Sequence, residues 1–329
     1  MPPGPSTPSS GESGPVLAIV CPGQGSQTPG FLSPWLELPG VSDHLHWLSV
    51  VTGIDLIEHG TRSDADTIRD TAVAQPLIVA AGLITAAALG HPPAGVLAGH
   101  SVGEFTAAVL AGVLSPEQAM VLVRERGRAM AAASAVTATG MSAVLGGDPE
   151  QVLSALAEHG LTAANANGSG QVVAAGTREQ LAALGANPPA KARVMPLQVA
   201  GAFHTHHMAP AVEVLAGLAR GVQPREPVTR LLSNADGSVV PSGVEALRRL
   251  VNQVSNPVRW DVCMESMRRL GVTALLELSP AGTLTGLAKR ALPGVRLVAL
   301  KTPDDLDAAR ALLADGASLI GVDPSGVPA

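Results

Sequence analysis

The chain has 329 residues, 46% hydrophobic and 15% charged, enough for one large domain or for a core carrying a smaller insert. A net charge of -6 and an aromatic content of 2% exclude a nucleic-acid binder built on basic patches and stacking platforms. Two cysteines, Cys21 and Cys263, are too few for a disulfide framework or a thiolate metal cage, and they read as buried free thiols.

Residues 1–14 are rich in Pro, Ser and Gly and read as a disordered tail, with neither the basic start nor the apolar run of a targeting segment. Val16–Cys21 is a continuous apolar run, the pattern of a buried parallel strand. It leads into Pro22-Gly23-Gln24-Gly25-Ser26-Gln27, a loop without the Gly-Lys-Ser/Thr ending of a phosphate cradle. Helices are predicted over Ser33–Val50 and Pro76–Leu89, the second with Pro76 in its first turn. The longest apolar run, Leu77–Leu89, is too short to span a bilayer, which points to a cytoplasmic protein with no membrane partner. A second strand ends at Ala98, and a helix rich in good formers runs from Glu104 to Ala111. Ser115-Pro116-Glu117-Gln118 opens a further helix with an N-cap serine and a first-turn proline; it carries Arg124, Arg126 and Arg128 and ends near Ser134.

From Met141 the elements become shorter. Strands are predicted at Met141–Leu145, Leu161–Ala166, Gln171–Ala175 and Ala192–Val199, with helices at Asp148–His159 and Thr177–Leu184. The order β-α-β-β-α-β suits a small ferredoxin-like unit. The expectation is an α/β fold: a hydrolase-like parallel-sheet core (15–140 and 203–321) with an inserted ferredoxin-like α+β subdomain (141–202) and a frayed tail (322–329). In the returning core, Leu231–Asn234 is a strand or hairpin edge, Gly243–Val251 and Trp260–Leu270 are helices, and Val272–Leu278 and Val295–Leu300 are strands, each followed by a helix.

Between the second strand and its helix lies Gly99-His100-Ser101-Val102-Gly103, of the form G-x-S-x-G. A strand turning sharply into a helix lifts a serine oxygen off the backbone, and the helix N-terminus favours a developing oxyanion. An ordinary glycine-rich turn has the same letters. A serine needs a base, and Gly201-Ala202-Phe203-His204-Thr205-His206-His207 offers histidines. No H-E-x-x-H accompanies them, so a metal site is not expected. A hydrolase triad would place a carboxylate between serine and histidine, yet the only aspartate there, Asp148, stands in a helix-cap context. That pattern favours a Ser-His dyad whose imidazole is oriented by a neutral acceptor. Asn165 and Asn167 suit either contact with a ligand or turns, and turns are the favoured reading.

Five segments in order, Pro22–Gln27, Gly99–Glu104, Arg126-Gly127, Gly201–His204 and Asn256-Pro257-Val258, make the chain resemble the bacterial malonyl-CoA:acyl carrier protein transacylases, acyltransferases of fatty acid and polyketide synthesis. The resemblance runs from Val16 to about Leu313. It implies that Ser101 is the nucleophile and His204 the base, that the N–H groups of Gln24 and Val102 form the oxyanion hole, and that the main-chain carbonyl of Gln253 orients the histidine. It also implies that Arg126 binds the malonyl carboxylate and that Phe203 restricts substrates at the α-carbon. Gly201 replaces a histidine common in polyketide synthase domains. No cofactor or metal is implied; the partners are malonyl-CoA and acyl carrier protein, and the chain is expected to be a monomer. Arg248, Arg249, Lys289 and Arg290 are candidates for meeting the acidic carrier, although an ordinary solvated face is the favoured reading of each. The competing readings are a serine thioesterase or esterase, and a catalytically idle partner of a synthase.

Overall fold

The structure, a computed structural model, describes residues 16–317; the expected tails at 1–14 and 322–329 lie outside the described residues. The strands in chain order are β1 (Val16–Cys21), β2 (Val96–Gly99), β3 (Thr139–Gly146), β4 (Thr162–Gly168), β5 (Gln171–Thr177), β6 (Ala192–Pro196), β7 (Arg230–Leu231), β8 (Val258–Arg259), β9 (Val272–Glu277) and β10 (Arg296–Ala299). They form two five-stranded sheets.

The first sheet is parallel throughout, in the order β10-β9-β1-β2-β7. β1 and β2 are almost wholly buried, which is why their sequences show no polar alternation. Cys21 lies opposite Gly99, so β1 and β2 deliver the segments that follow them to one edge of the sheet. Ligands of open α/β sheets bind at that carboxyl edge.

The second sheet has the order β6-β3-β5-β4-β8. β3 to β6 pair antiparallel, and with the helices Pro149–Glu158 and Arg178–Ala186 they make the ferredoxin-like β-α-β-β-α-β unit. β8 comes from the following part of the chain and joins β4 in parallel, with Asn165 opposite Val258. The small sheet therefore draws one strand from the chain that has already returned to the core.

Two helices differ from the sequence expectation. Ser33–Val50 is not continuous: a 3-10 turn (Ser33–Glu37) and a helix (Val41–Thr52) are separated at Pro39-Gly40, where Gly40 takes a φ of 76°. The apolar helix starts at Thr71, not Pro76, because the Asp70 carboxylate accepts the Ala72 N–H and caps it there. Pro76 thus lies inside the helix. This helix, Thr71–Ala88, has a mean hydropathy of 1.7 and is long and apolar enough to cross a membrane, yet 78% of it is buried inside the protein. It packs on Pro116–Ser134 as a core helix.

The elbow between β2 and the helix Gly103–Leu110 depends on close backbone approach. A Cβ on Gly103 would lie 2.2 Å from the Cys21 carbonyl oxygen, and one on Gly99 2.1 Å from the Gly103 carbonyl carbon. Both obstacles are main chain and cannot swing aside. Gly103→Ala is therefore expected to cost about 3 kcal/mol, read as a fall of several degrees in the thermal midpoint. A variant that melts with the wild type would show that the elbow is looser than described.

Candidate active site

Ser101 ends the turn after β2 with a φ of 52°, a left-handed conformation rare for a residue with a Cβ. The turn leaves its side chain half-buried at the carboxyl edge of the sheet. His204 also has a positive φ, 60°, and is 3% exposed. The two meet: Ser101 Oγ lies 2.8 Å from His204 Nε2. On the far side of the ring, Nδ1 is 2.8 Å from the Gln253 main-chain oxygen. A carbonyl only accepts, so Nδ1 carries the proton and Nε2 presents its lone pair to the serine hydroxyl.

Arg126, on the helix Pro116–Ser134, is 0% exposed. It donates to Gln75 Oε1 (2.6 Å) and to Gln253 Oε1 (2.9 Å), and more distantly to Ser101 Oγ (3.4 Å). Its Nε is buried without a partner among the described residues. Arg124 and Arg128, its neighbours in sequence, pair at the surface with Glu125. Burial lowers the Arg126 pKa to about 10, partly opposed by nearby Glu104. Glu104 itself is pushed up to about 7 by burial, despite bonds from the Asn234 backbone and the Gln253 side chain.

His204 is driven the other way. Burial first, and then the Arg126 cation, lower its pKa to about 3. The ring is thus a free base at neutral pH, the state a general base requires. As the pH of the free protein falls through 6.5, the ordinary histidine midpoint, His204 is expected to stay neutral. Nuclear magnetic resonance titration of the ring checks this, and a midpoint between 6 and 7 would contradict the geometry.

The remaining predicted residues lie around this centre. A Cβ on Gly23 would meet the His100 carbonyl at 2.7 Å, so the loop carrying Gln24 abuts the elbow. The Gln24 amide reaches the Arg69 carbonyl (3.3 Å) and Thr71 Oγ1 (3.4 Å). Val102 is the residue before the helix Gly103–Leu110. Phe203 is buried in the main hydrophobic cluster, immediately before His204. A Cβ at Gly201 would come 2.2 Å from Ser134 Oγ, so this site has no room for a histidine there without moving that helix end. Cys21 and Cys263 are buried free thiols. Among the described residues, no group of three His, Cys, Asp or Glu side chains is placed to hold a metal.

Two readings are corrected. Asn165 and Asn167 lie in β4 rather than in turns, and Asn167 Oδ1 is 2.9 Å from His100 Nε2, tying the small sheet to the elbow. His100 also sits edge-on to Trp260, with ring centroids 5.7 Å apart. Arg248 and Arg249 are not open cations: both pair with Glu245, and Arg249 also pairs with Asp236. Lys289 and Arg290 remain exposed.

Sequence reasoning missed Gln75, Glu104 and Asn234. Gln75 had a signal, a lone amide on an otherwise apolar helix face. Glu104 follows the G-x-S-x-G stretch directly, and an acid buried beside an arginine was there to be asked about. Asn234, in Ser-Asn-Ala-Asp-Gly, has the composition of a plain turn.

A serine at a strand-to-helix elbow, hydrogen-bonded to a histidine that a main-chain carbonyl orients, on a parallel sheet beside a ferredoxin-like lobe, is an arrangement suited to acyl transfer through a serine ester. Residues 18–314 match the acyl transferase domain family, and the chain belongs to that family. The malonyl CoA-acyl carrier protein transacylase of Mycobacterium tuberculosis (strain ATCC 25618 / H37Rv) is 50% identical over 297 residues, 89% of this chain and 98% of that protein. The transacylase of the same description from Escherichia coli (strain K12) is 33% identical, again over 89% of this chain and 98% of that protein. The crystal structure of MCAT from Mycobacterium tuberculosis superposes with a TM-score of 0.87 at 49% identity, covering 89% of this chain and 99% of that one. A type II PKS acyl-carrier protein in complex with its malonyl-transacylase gives a TM-score of 0.84 at 32% identity, covering 90% of this chain and 99% of that one.

Proposed function

We propose that this chain transfers the malonyl group from malonyl-CoA to the phosphopantetheine thiol of acyl carrier protein, through an ester on Ser101. The observation that carries the proposal is the Ser101–His204 contact of 2.8 Å with a buried guanidinium beside it. His204 Nε2 takes the hydroxyl proton as Oγ attacks the thioester carbon. The resulting oxyanion is held by the N–H groups of Val102, at a helix N-terminus, and Gln24, on the abutting loop. When the intermediate collapses, the imidazolium gives its proton to the departing CoA sulfur. The carrier thiol then repeats the sequence in reverse, yielding its proton to His204 and freeing the serine. Thioester becomes ester and then thioester again, so the exchange runs in both directions. The residues need no metal or redox group for it.

Arg126 supplies the selectivity. Its cation is held by two neutral amides, and its buried Nε has no partner among the described residues, so its charge suits a carboxylate that brings charge and lone pairs together. An acetyl group offers neither, and leaves the buried cation uncompensated. The malonyl carboxylate also offsets the charge that depresses His204, so the base strengthens when the right substrate is present. Phe203, packed before the histidine, takes up room that a methyl on the α-carbon would need.

A thioesterase reading has less support, since the histidine is oriented by a carbonyl and a buried arginine faces the serine. Intact-mass spectrometry after mixing with malonyl-, methylmalonyl- or acetyl-CoA tests the proposal. A lasting malonyl adduct on Ser101 that carrier protein discharges is the expected result. Rapid release of free malonate would establish a hydrolase, and no adduct would establish an idle partner.

A further inference from the structure

β7 ends at Leu231, short of the elbow. The Leu232 N–H still donates to the Leu97 carbonyl (2.9 Å), continuing the ladder along β2. In a parallel ladder the next donor would be the N–H of residue 234, and its acceptor the Gly99 carbonyl. The Asn234 main chain is instead turned elsewhere. Its N–H donates to Glu104 Oε1 (2.6 Å), and its carbonyl accepts the Arg259 N–H (2.8 Å) from β8. The side-chain amide occupies the empty ladder step: Nδ2 donates to the Gly99 carbonyl (2.7 Å), and Oδ1 accepts the Ser101 N–H (2.8 Å). A primary amide carries the donor and acceptor of a peptide group, so it can extend a sheet edge by one step.

Ser101 needs such support. A non-glycine residue at a φ of 52° persists only where its surroundings over-determine it. Asn234 is 0% exposed and grips the backbone on both sides of His100. Through Glu104 it also reaches the other half of the site. Glu104 Oε2 accepts from the Gln253 amide, and the Gln253 carbonyl holds the histidine ring. We propose that Asn234 is a positioning residue for Ser101, a side chain standing in for missing strand and holding the elbow in the geometry in which Oγ meets His204.

This rests on Ser101 being the acylated residue. The test measures the rate of Ser101 malonylation by rapid-quench mass spectrometry across malonyl-CoA concentrations, for the wild type, Asn234→Ala, Asn234→Leu and a control, Leu232→Ala. Leu232 is buried beside Asn234, and its side chain makes no hydrogen bond to the elbow. Asn234→Ala is expected to lower the maximal acylation rate about a hundredfold. The half-saturating concentration should move by less than about threefold, because bound substrate is not what the amide touches. Asn234→Leu keeps the bulk and loses both the donor to Gly99 and the acceptor for the Ser101 N–H, so its rate should fall as far as that of Asn234→Ala. Leu232→Ala should lower the melting temperature and leave the rate near that of the wild type. Wild-type rates in Asn234→Ala would overturn the proposal, as would an equal rate loss in Leu232→Ala at the same melting temperature. Should Asn234→Ala not fold, a wild-type rate in Asn234→Leu, which keeps the bulk and loses both bonds, overturns it. A wild-type chain that takes no acyl group on Ser101 sinks the functional reading and this one together. A wild-type chain that does, beside an Asn234→Ala chain of equal rate, sinks only this one.

Discussion

Alanine at His204 is expected to slow malonylation of Ser101 by at least about 10⁴-fold, with malonyl-CoA still bound. Nε2 lies 2.8 Å from the serine oxygen, and Arg126, which donates to that oxygen at 3.4 Å, is a donor that cannot take a proton. Without the imidazole the hydroxyl must lose its proton to water, inside a pocket whose carboxylate, Glu104, is occupied by the Asn234 N–H and the Gln253 amide. The oxyanion donors and the substrate-binding groups remain, which is why the residual rate should not reach zero. The check is the time course of the acyl adduct in His204→Ala against the wild type, with binding measured separately. An adduct forming within tenfold of the wild-type rate would assign the base elsewhere.

Arg126→Ala should change which acyl group is accepted. For malonyl-CoA, kcat/KM is expected to fall on the order of 10³-fold, the scale for removing a charged two-bond partner from a buried site. Acetyl-CoA, which makes no use of the guanidinium, should lose less than about tenfold. The same substitution removes one of the two main influences holding the His204 pKa down, so the ring's midpoint should rise toward its ordinary value. Part of any loss will be structural, because Gln75 and Gln253 each lose a buried donor. Arg126→Lys separates the terms: it keeps a charge, loses the fork, and should retain part of the malonyl preference. Competition between the two thioesters for one enzyme sample gives the ratio directly. An unchanged ratio would remove Arg126 from substrate choice.

The parts legible in the sequence are those whose cause is local. An apolar run, two glycines around a serine and a string of helix formers dictate the elbow without reference to distant chain. The β-α-β-β-α-β order likewise follows from elements taken one at a time. What the sequence hid depends on separation. Asn234 meets Ser101 across 133 positions, and Asn167 meets His100 across 67. Nothing near either asparagine distinguishes it from a turn residue. The late start given to the helix Thr71–Ala88 has a different source. Pro76 is a strong first-turn signal, and the cap at Asp70, six residues before it, outweighs it. The break at Pro39-Gly40 was visible as letters, but the apolar residues on both sides disguised it.

The two residues of the dyad share an unusual backbone state, and this narrows what can replace them. A second branch on the Cβ crowds the neighbouring carbonyl oxygen in the left-handed region, so threonine, the other amino acid with an alcohol on that carbon, is disfavoured at position 101 by the backbone alone. Cysteine carries a single branch and avoids that crowding, so the main chain at this position admits a change of the reacting atom more readily than a methyl added beside it.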